Sequence, residues 1–180
     1  THAALVIGYQ PESVRQYVGT GQSWGLEVEY ISQPRPQGLG HAVSLARGFV
    51  GGDPFVVYLG DNLLQDGIAG FVRDLSDEEW EAAVLLKRVE NPARFGVAEV
   101  DGQRVVRLVE KPERPTSNLA VIGVYAFRES IFGAIERVLP SPRGEVEITD
   151  AIQHLVAAGR VVRWAEVTGV WEDAGEFDAV

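Results

Sequence analysis

The sequence predicts an α/β fold: a Rossmann-like, doubly wound, mostly parallel mixed sheet with helices on both faces. Three observations carry this prediction. Short continuous apolar runs recur at residues 3–7, 55–59 and 82–86, the pattern of strands buried on both faces. Amphipathic helical stretches alternate with them, as in a βαβ succession. The chain has 180 residues, 46% of them hydrophobic and 23% charged, which suits one domain with a sizeable core.

Each element has a local cause. Residues 3–7 (ALVI after Ala3) form the first buried strand. Pro11-Glu12-Ser13 opens a helix to Val18, with Pro in the first turn, where its missing N–H costs nothing. Residues 26–31 alternate apolar and acidic side chains, as a half-exposed strand does. Residues 39–49 carry Leu39, Ala42, Val43 and Ala46 on one helical stripe. Residues 55–59 form the second buried strand and 68–75 the next helix. After the run at 82–86, Asp101-Gly102 joins strands 97–100 and 105–109 into a hairpin. A strand follows at 120–127, helices at 130–139 and 148–158, and a strand at 161–167. Gly169-Val170-Trp171-Glu172-Asp173 comes next, and a helix is expected to begin near Glu176.

Composition narrows the function classes. No apolar run approaches the ~20 residues that cross a bilayer, and no basic segment leads into an apolar one at the start. With no cysteine there are no disulfides and no thiolate metal sites. A net charge of −10 speaks against a nucleic-acid partner. It leaves room for one phosphate ligand, which a local Lys or helix start can hold.

Residues 33–62 are the most informative stretch. A Gln–Pro–Gly loop leads into a helix, the helix into an apolar strand, and the strand into Gly60-Asp61-Asn62. In open α/β sheets the carboxyl ends of the strands are where ligands bind. Asp61 there suits Mg²⁺, which takes one or two carboxylates plus phosphate oxygens, or else it caps a turn. Asp173 sits the same way before Ala174-Gly175, and it too could cap the helix expected near Glu176. Gln33 can donate and accept through one amide, which suits the imide edge of thymine or uracil, and Gly38 lets backbone approach a base. Lys111 is a point charge for a phosphate and Glu110 an acceptor for sugar hydroxyls, or the pair is a solvated turn before Pro112. At the start of the helix at 148–158, Thr149 or Asp150 reads on spacing as a capping group, or the acidic cluster there holds a sugar. His2, His41 and His154 stand far apart with no ligand at metal spacing and receive no role.

Seven segments in order, QPRPQGLGHA, VYLGDN, RFGVAEV, LVEKPERPTSN, IGVYAF, GEVEITDAI and VWEDAG, resemble the sugar-phosphate nucleotidyltransferases. The likeness is strongest to the glucose-1-phosphate thymidylyltransferases, in their longer, StrD-like branch. It implies the nucleotide-diphospho-sugar transferase type of the predicted fold. It implies transfer of a nucleotidyl group from dTTP or UTP to a sugar 1-phosphate in the cytoplasm, with Mg²⁺. It also implies a homo-oligomer as a possible assembly. On matching positions, Gln33 and Gly38 would read the base, and Asp61 and Asp173 would hold the metal. Gly96, Glu110, Lys111 and Trp171 would hold the sugar phosphate. Asp61, Asp173 and Lys111 form the catalytic set.

One part of the family pattern has no counterpart. The family opens with a glycine-rich GGxGTRL-type loop with an Arg, which cradles the triphosphate, and nothing here matches it. The expectation is therefore a nucleotidyltransferase domain over residues 1–180 truncated at both ends, lacking roughly 50 to 60 leading residues, with little activity alone. The competing expectation is a non-catalytic sugar-nucleotide-binding or regulatory module.

Overall fold

The structure, a computed structural model, describes residues 1–8, 10–76 and 79–175. The helix expected near Glu176 lies outside the described residues. Elements run β1 (His2–Ile7), α1 (Pro11–Val18), β2 (Glu27–Ser32), α2 (Leu39–Leu45), α3 (Arg47–Val50), β3 (Phe55–Tyr58), β4 (Asn62–Leu64) and α4 (Ala69–Asp74). They continue with β5 (Ala82–Arg88), β6 (Gly96–Asp101), β7 (Arg104–Glu110), β8 (Leu119–Phe127), α5 (Ser130–Ile135), α6 (Ile148–Ala157), β9 (Val162–Glu166) and β10 (Trp171–Asp173).

A six-stranded mixed sheet, in the order β3-β8-β5-β9-β7-β6, forms the centre. Strand β8, which pairs with β3, β5 and β6, is buried at every position, because both faces are covered. Ala82, Val84 and Leu86 of β5 join one apolar cluster with α5 and α6. Ala83 and Leu85, pointing the other way, join a second with Phe71 of α4 and Trp80. Helices thus cover both faces, as expected.

The pairing directions differ from the expected mostly parallel sheet. β1–β2 and β5–β9 are parallel, whereas β8 runs antiparallel to β3, β5 and β6, and β7 antiparallel to β6 and β9. A continuous apolar run reports burial on two faces and carries no information about strand direction. Two local features also depart from expectation. The helix over 39–49 breaks at Ala46 into α2 and α3. Residues beyond Asp61 form β4, which pairs antiparallel with β10, with Asn62 opposite Asp173 and Leu64 opposite Trp171. Three-residue strands are too short to show a period.

No helix among the described residues is long and apolar enough to cross a membrane.

Candidate nucleotide and sugar-phosphate site

The β4–β10 pair sets the site. It brings Asp61, one residue before β4, to Asp173 at the end of β10. A Cβ added at Gly175 would stand 2.7 Å from Asp61 Oδ2 and 3.1 Å from Asp173 Oδ1, so the two carboxylates converge on one spot. The turn is closed by the Ala174 N–H donating to the Asp61 carbonyl at 2.7 Å and the Gly175 N–H donating to Asp173 Oδ1 at 3.0 Å. Asp173 therefore does stabilise a turn, and its carboxylate still faces that of Asp61. The pair matches the oxygen donors Mg²⁺ prefers. Among the described residues no group of three or more His, Cys, Asp or Glu could hold a metal.

Asn62 is the keystone beside them, only 4% exposed. Its Nδ2 donates to Asp61 Oδ1 at 2.8 Å. Its Oδ1 accepts from the Gly123 N–H at 3.1 Å and from Trp171 Nε1 at 2.7 Å. Position 123 must be glycine, since a Cβ there would lie 2.5 Å from Asn62 Nδ2. The Trp171 ring meets Phe95 edge-on at 5.7 Å.

Opposite stands a second polar cluster. Glu110, at the end of β7, accepts from Thr149 Oγ1 at 2.7 Å and from Arg143 at 3.2 Å. Arg143 also donates to Glu147 at 2.9 Å. The bond to Glu147 first, then the negative charge of Glu147, Glu145 and Glu110, pushes the Arg143 guanidinium pKa up. Gly96 pairs with Glu110 in the sheet, and a Cβ on it would sit 3.0 Å from Thr149 Oγ1. Lys111 adopts φ 39°, a left-handed backbone uncommon for a side-chain-bearing residue, and its N–H donates to the Phe95 carbonyl at 3.0 Å. That turn ends β7 at the mouth of the cleft. Thr149 is therefore no helix cap: Glu147 precedes α6 without a side-chain cap, and the Thr149 hydroxyl serves Glu110.

Asp61, Asp173, Gly96, Glu110, Lys111 and Trp171 line one cleft of about 230 Å³. Tyr125 forms part of its wall, and its phenol pKa is pushed up by burial first, then by the negative charge of Glu110 and Asp61. Gln33 and Gly38 are not in that lining. They stand beside it, joined through Leu39, which does line it. Their loop is laced to the segment before α6: the Val146 N–H donates to the Gln37 carbonyl and the Gly40 N–H to the Val146 carbonyl, each at 2.8 Å.

Three residues without an assigned role emerge here: Asn62, Arg143 and His41, whose Nδ1 lies 2.9 Å from Gln33 Nε2. Asn62 follows a singled-out Asp, but only folding brings Gly123 and Trp171 to it. Arg143, amid Ser141, Pro142 and Gly144, reads as a loop cation. His41 reads as a plain helix residue.

The sequence profile of the Nucleotidyl transferase family matches residues 2–180. The chain is 46% identical over 177 residues to a glucose-1-phosphate thymidylyltransferase of Streptomyces antibioticus, covering 97% of this chain and 50% of that protein. It is 44% identical over 178 residues to the low-salt glycan biosynthesis nucleotidyltransferase Agl11 of Haloferax volcanii, covering 98% and 50%. Among solved structures it is similar to a Bacillus anthracis protein assigned as a glucose-1-phosphate thymidylyltransferase, in complex with sucrose. The TM-score is 0.85 at 36% identity, over 96% of this chain and 70% of the other. The chain spans about half the length of the curated relatives it matches.

Proposed function

This chain belongs to the nucleotidyl transferase family, and from that premise we propose that the protein transfers a nucleotidyl group from dTTP or UTP to a sugar 1-phosphate. Glucose 1-phosphate is the sugar proposed. An oxygen of the sugar phosphate attacks the α-phosphorus in line. A new P–O bond forms there as the bond to the bridging oxygen of the leaving group breaks, releasing pyrophosphate and a nucleotide diphosphate sugar. Such transfers are driven by positioning and charge neutralisation.

The roles follow from residue chemistry. Lys111 neutralises the sugar phosphate. Glu110 accepts sugar hydroxyls with the lone pairs left over by Thr149 and Arg143. Gly96, whose missing side chain leaves room for Thr149 and Glu110, belongs to the sugar-phosphate subsite, and Trp171 walls the sugar. Gln33 and Gly38 meet the base. Asp61 and Asp173 would hold Mg²⁺, which when bound supplies positive charge beside the phosphates. Their converging carboxylates fit such an ion by donor chemistry.

The observation supporting this reading most is that convergence within the same cleft as Glu110 and Lys111. A cytoplasmic homo-oligomer is proposed on family likeness alone, and sedimentation would read its assembly.

The test is a pyrophosphate-release assay with glucose 1-phosphate, Mg²⁺ and each nucleoside triphosphate in turn, paired with calorimetric titration of glucose 1-phosphate. Glucose 1-phosphate is expected to bind, and these 180 residues alone are expected to turn over slowly, with dTTP or UTP in preference to the other triphosphates. No binding of glucose 1-phosphate, or a preference for another triphosphate, would overturn the reading.

A further inference from the structure

Gln33 ends the strand-to-helix connection after β2, and its side chain is half-buried. Its amide nitrogen lies 3.2 Å from the Gly38 carbonyl oxygen and 2.9 Å from His41 Nδ1. A carbonyl oxygen can only accept, so the amide atom facing Gly38 has to be the nitrogen. That determines which way round the amide sits, independently of the histidine. The other N–H then points at His41 Nδ1, which has to present a lone pair, so neutral His41 carries its proton on Nε2. Both N–H groups of Gln33 are thereby directed inward, and Oε1 is the atom left for a ligand.

The surroundings resist rearrangement. Gly38 has φ 91°, and a Cβ there would sit 2.8 Å from both N and O of Val146. The Gly40 N–H holds the same Val146 carbonyl at 2.8 Å. The Gly38 carbonyl and the His41 ring that meet the amide are thus carried on a backbone anchored to Val146.

Resting on the proposed contact of Gln33 with the base, we infer that His41 is a specificity-determining positioning residue. With the Gly38 carbonyl it locks Gln33 as a pure hydrogen-bond acceptor. The base atom that meets Oε1 must then carry an N–H, as uracil and thymine do at N3. Cytosine carries a bare lone pair at N3, so two acceptors would face one another with no proton between them, and a buried acceptor without a partner weakens binding. The inference explains why a histidine is the third residue of α2: it selects among pyrimidines without touching the ligand.

Two measurements on the 180-residue chain test it. Long-range ¹⁵N–¹H spectra of the ligand-free protein at pH 8 are expected to show His41 protonated on Nε2 with bare Nδ1. The opposite tautomer overturns the lock whatever Gln33 binds. Calorimetric titration with uridine 5′-monophosphate and cytidine 5′-monophosphate is expected to favour uridine by about tenfold or more. His41→Leu, which removes the acceptor, is expected to cut that preference below about threefold. His41→Asn, whose Oδ1 takes the place of Nδ1, is expected to keep it, and this guards against a merely structural effect of Leu. If Gln33→Ala leaves uridine affinity unchanged, the contact between Gln33 and the base is wrong, while the tautomer result stands. If Gln33→Ala abolishes the preference but His41→Leu retains it in full, the role of His41 is overturned.

Discussion

The Trp171 indole donates to Asn62 Oδ1 at 2.7 Å across 109 residues of sequence. The same oxygen accepts from the Gly123 N–H, and the same amide donates to Asp61. One buried side chain thus ties the candidate sugar-pocket wall to the candidate metal ligand. Trp171→Phe keeps the ring and loses only the N–H. It is expected to destabilise the chain by about 1 kcal/mol, read by urea unfolding. Asn62→Ala strands two buried donors and opens a void, and is expected to cost about 3 kcal/mol. Equal losses for the two variants would contradict the shared-acceptor geometry.

The carboxylates of Asp61 and Asp173 face one another across Gly175. Asp61→Asn or Asp173→Asn is expected to weaken Mn²⁺ binding, followed by electron paramagnetic resonance, by about tenfold or more. Because each substitution also relieves like-charge repulsion, the melting temperature in metal-free buffer is expected to hold or rise. A large fall would mean the carboxylates serve chiefly as structural acceptors.

Arg143 joins Glu110 to Glu147. Arg143→Ala is expected to release the Glu110 carboxylate and weaken glucose 1-phosphate binding about five- to tenfold. Thr149→Val, which removes the other donor to Glu110, is expected to act in the same direction. The two effects should be less than additive, since both act on one carboxylate. Full additivity in calorimetric affinities would show that they act separately.

Asp150, in the first turn of α6, has its pKa raised by burial first and by the Glu147 charge next. A raised folded-state value means the native chain binds the proton more readily than the unfolded chain. That contribution is fully present below the ordinary aspartate value of 3.8 and is lost as pH rises through the raised folded value. Asp150→Asn, which removes the charge, is therefore expected to stabilise the chain slightly near pH 7. The gain should shrink as pH falls toward the ordinary aspartate range. Unfolding free energies measured from pH 3.5 to 7 would show this, and a gain that grows on acidification would contradict it.

Gly38→Ala is expected to cost about 2 kcal/mol. Its φ of 91° disfavours a side chain, and the new Cβ would strike the Val146 backbone. Gly144→Ala shares a positive φ of 77° but meets nothing within 4 Å, so its cost should be smaller. Thermal melts of the two variants compare strain alone with strain plus collision.

Much of this molecule is legible in its linear pattern. Apolar runs such as 82–86 become buried strands wherever they pair, because burial of a continuous apolar stretch is favourable in any sheet. Asp101-Gly102 closes the β6–β7 hairpin because its turn chemistry is local. The residue types of the candidate site are equally visible: Asp61, Glu110, Lys111 and Asp173 stand near Gly or Pro where the strand patterns end. Only the tertiary structure decided direction and partnership. That β8 runs antiparallel to three neighbours and that Asp61 meets Asp173 through two three-residue strands are contacts between distant segments. A side chain's own sequence neighbourhood sets its chemistry. Which partner uses up that chemistry depends on loop closures between segments far apart in the chain, which leave no periodic mark on it.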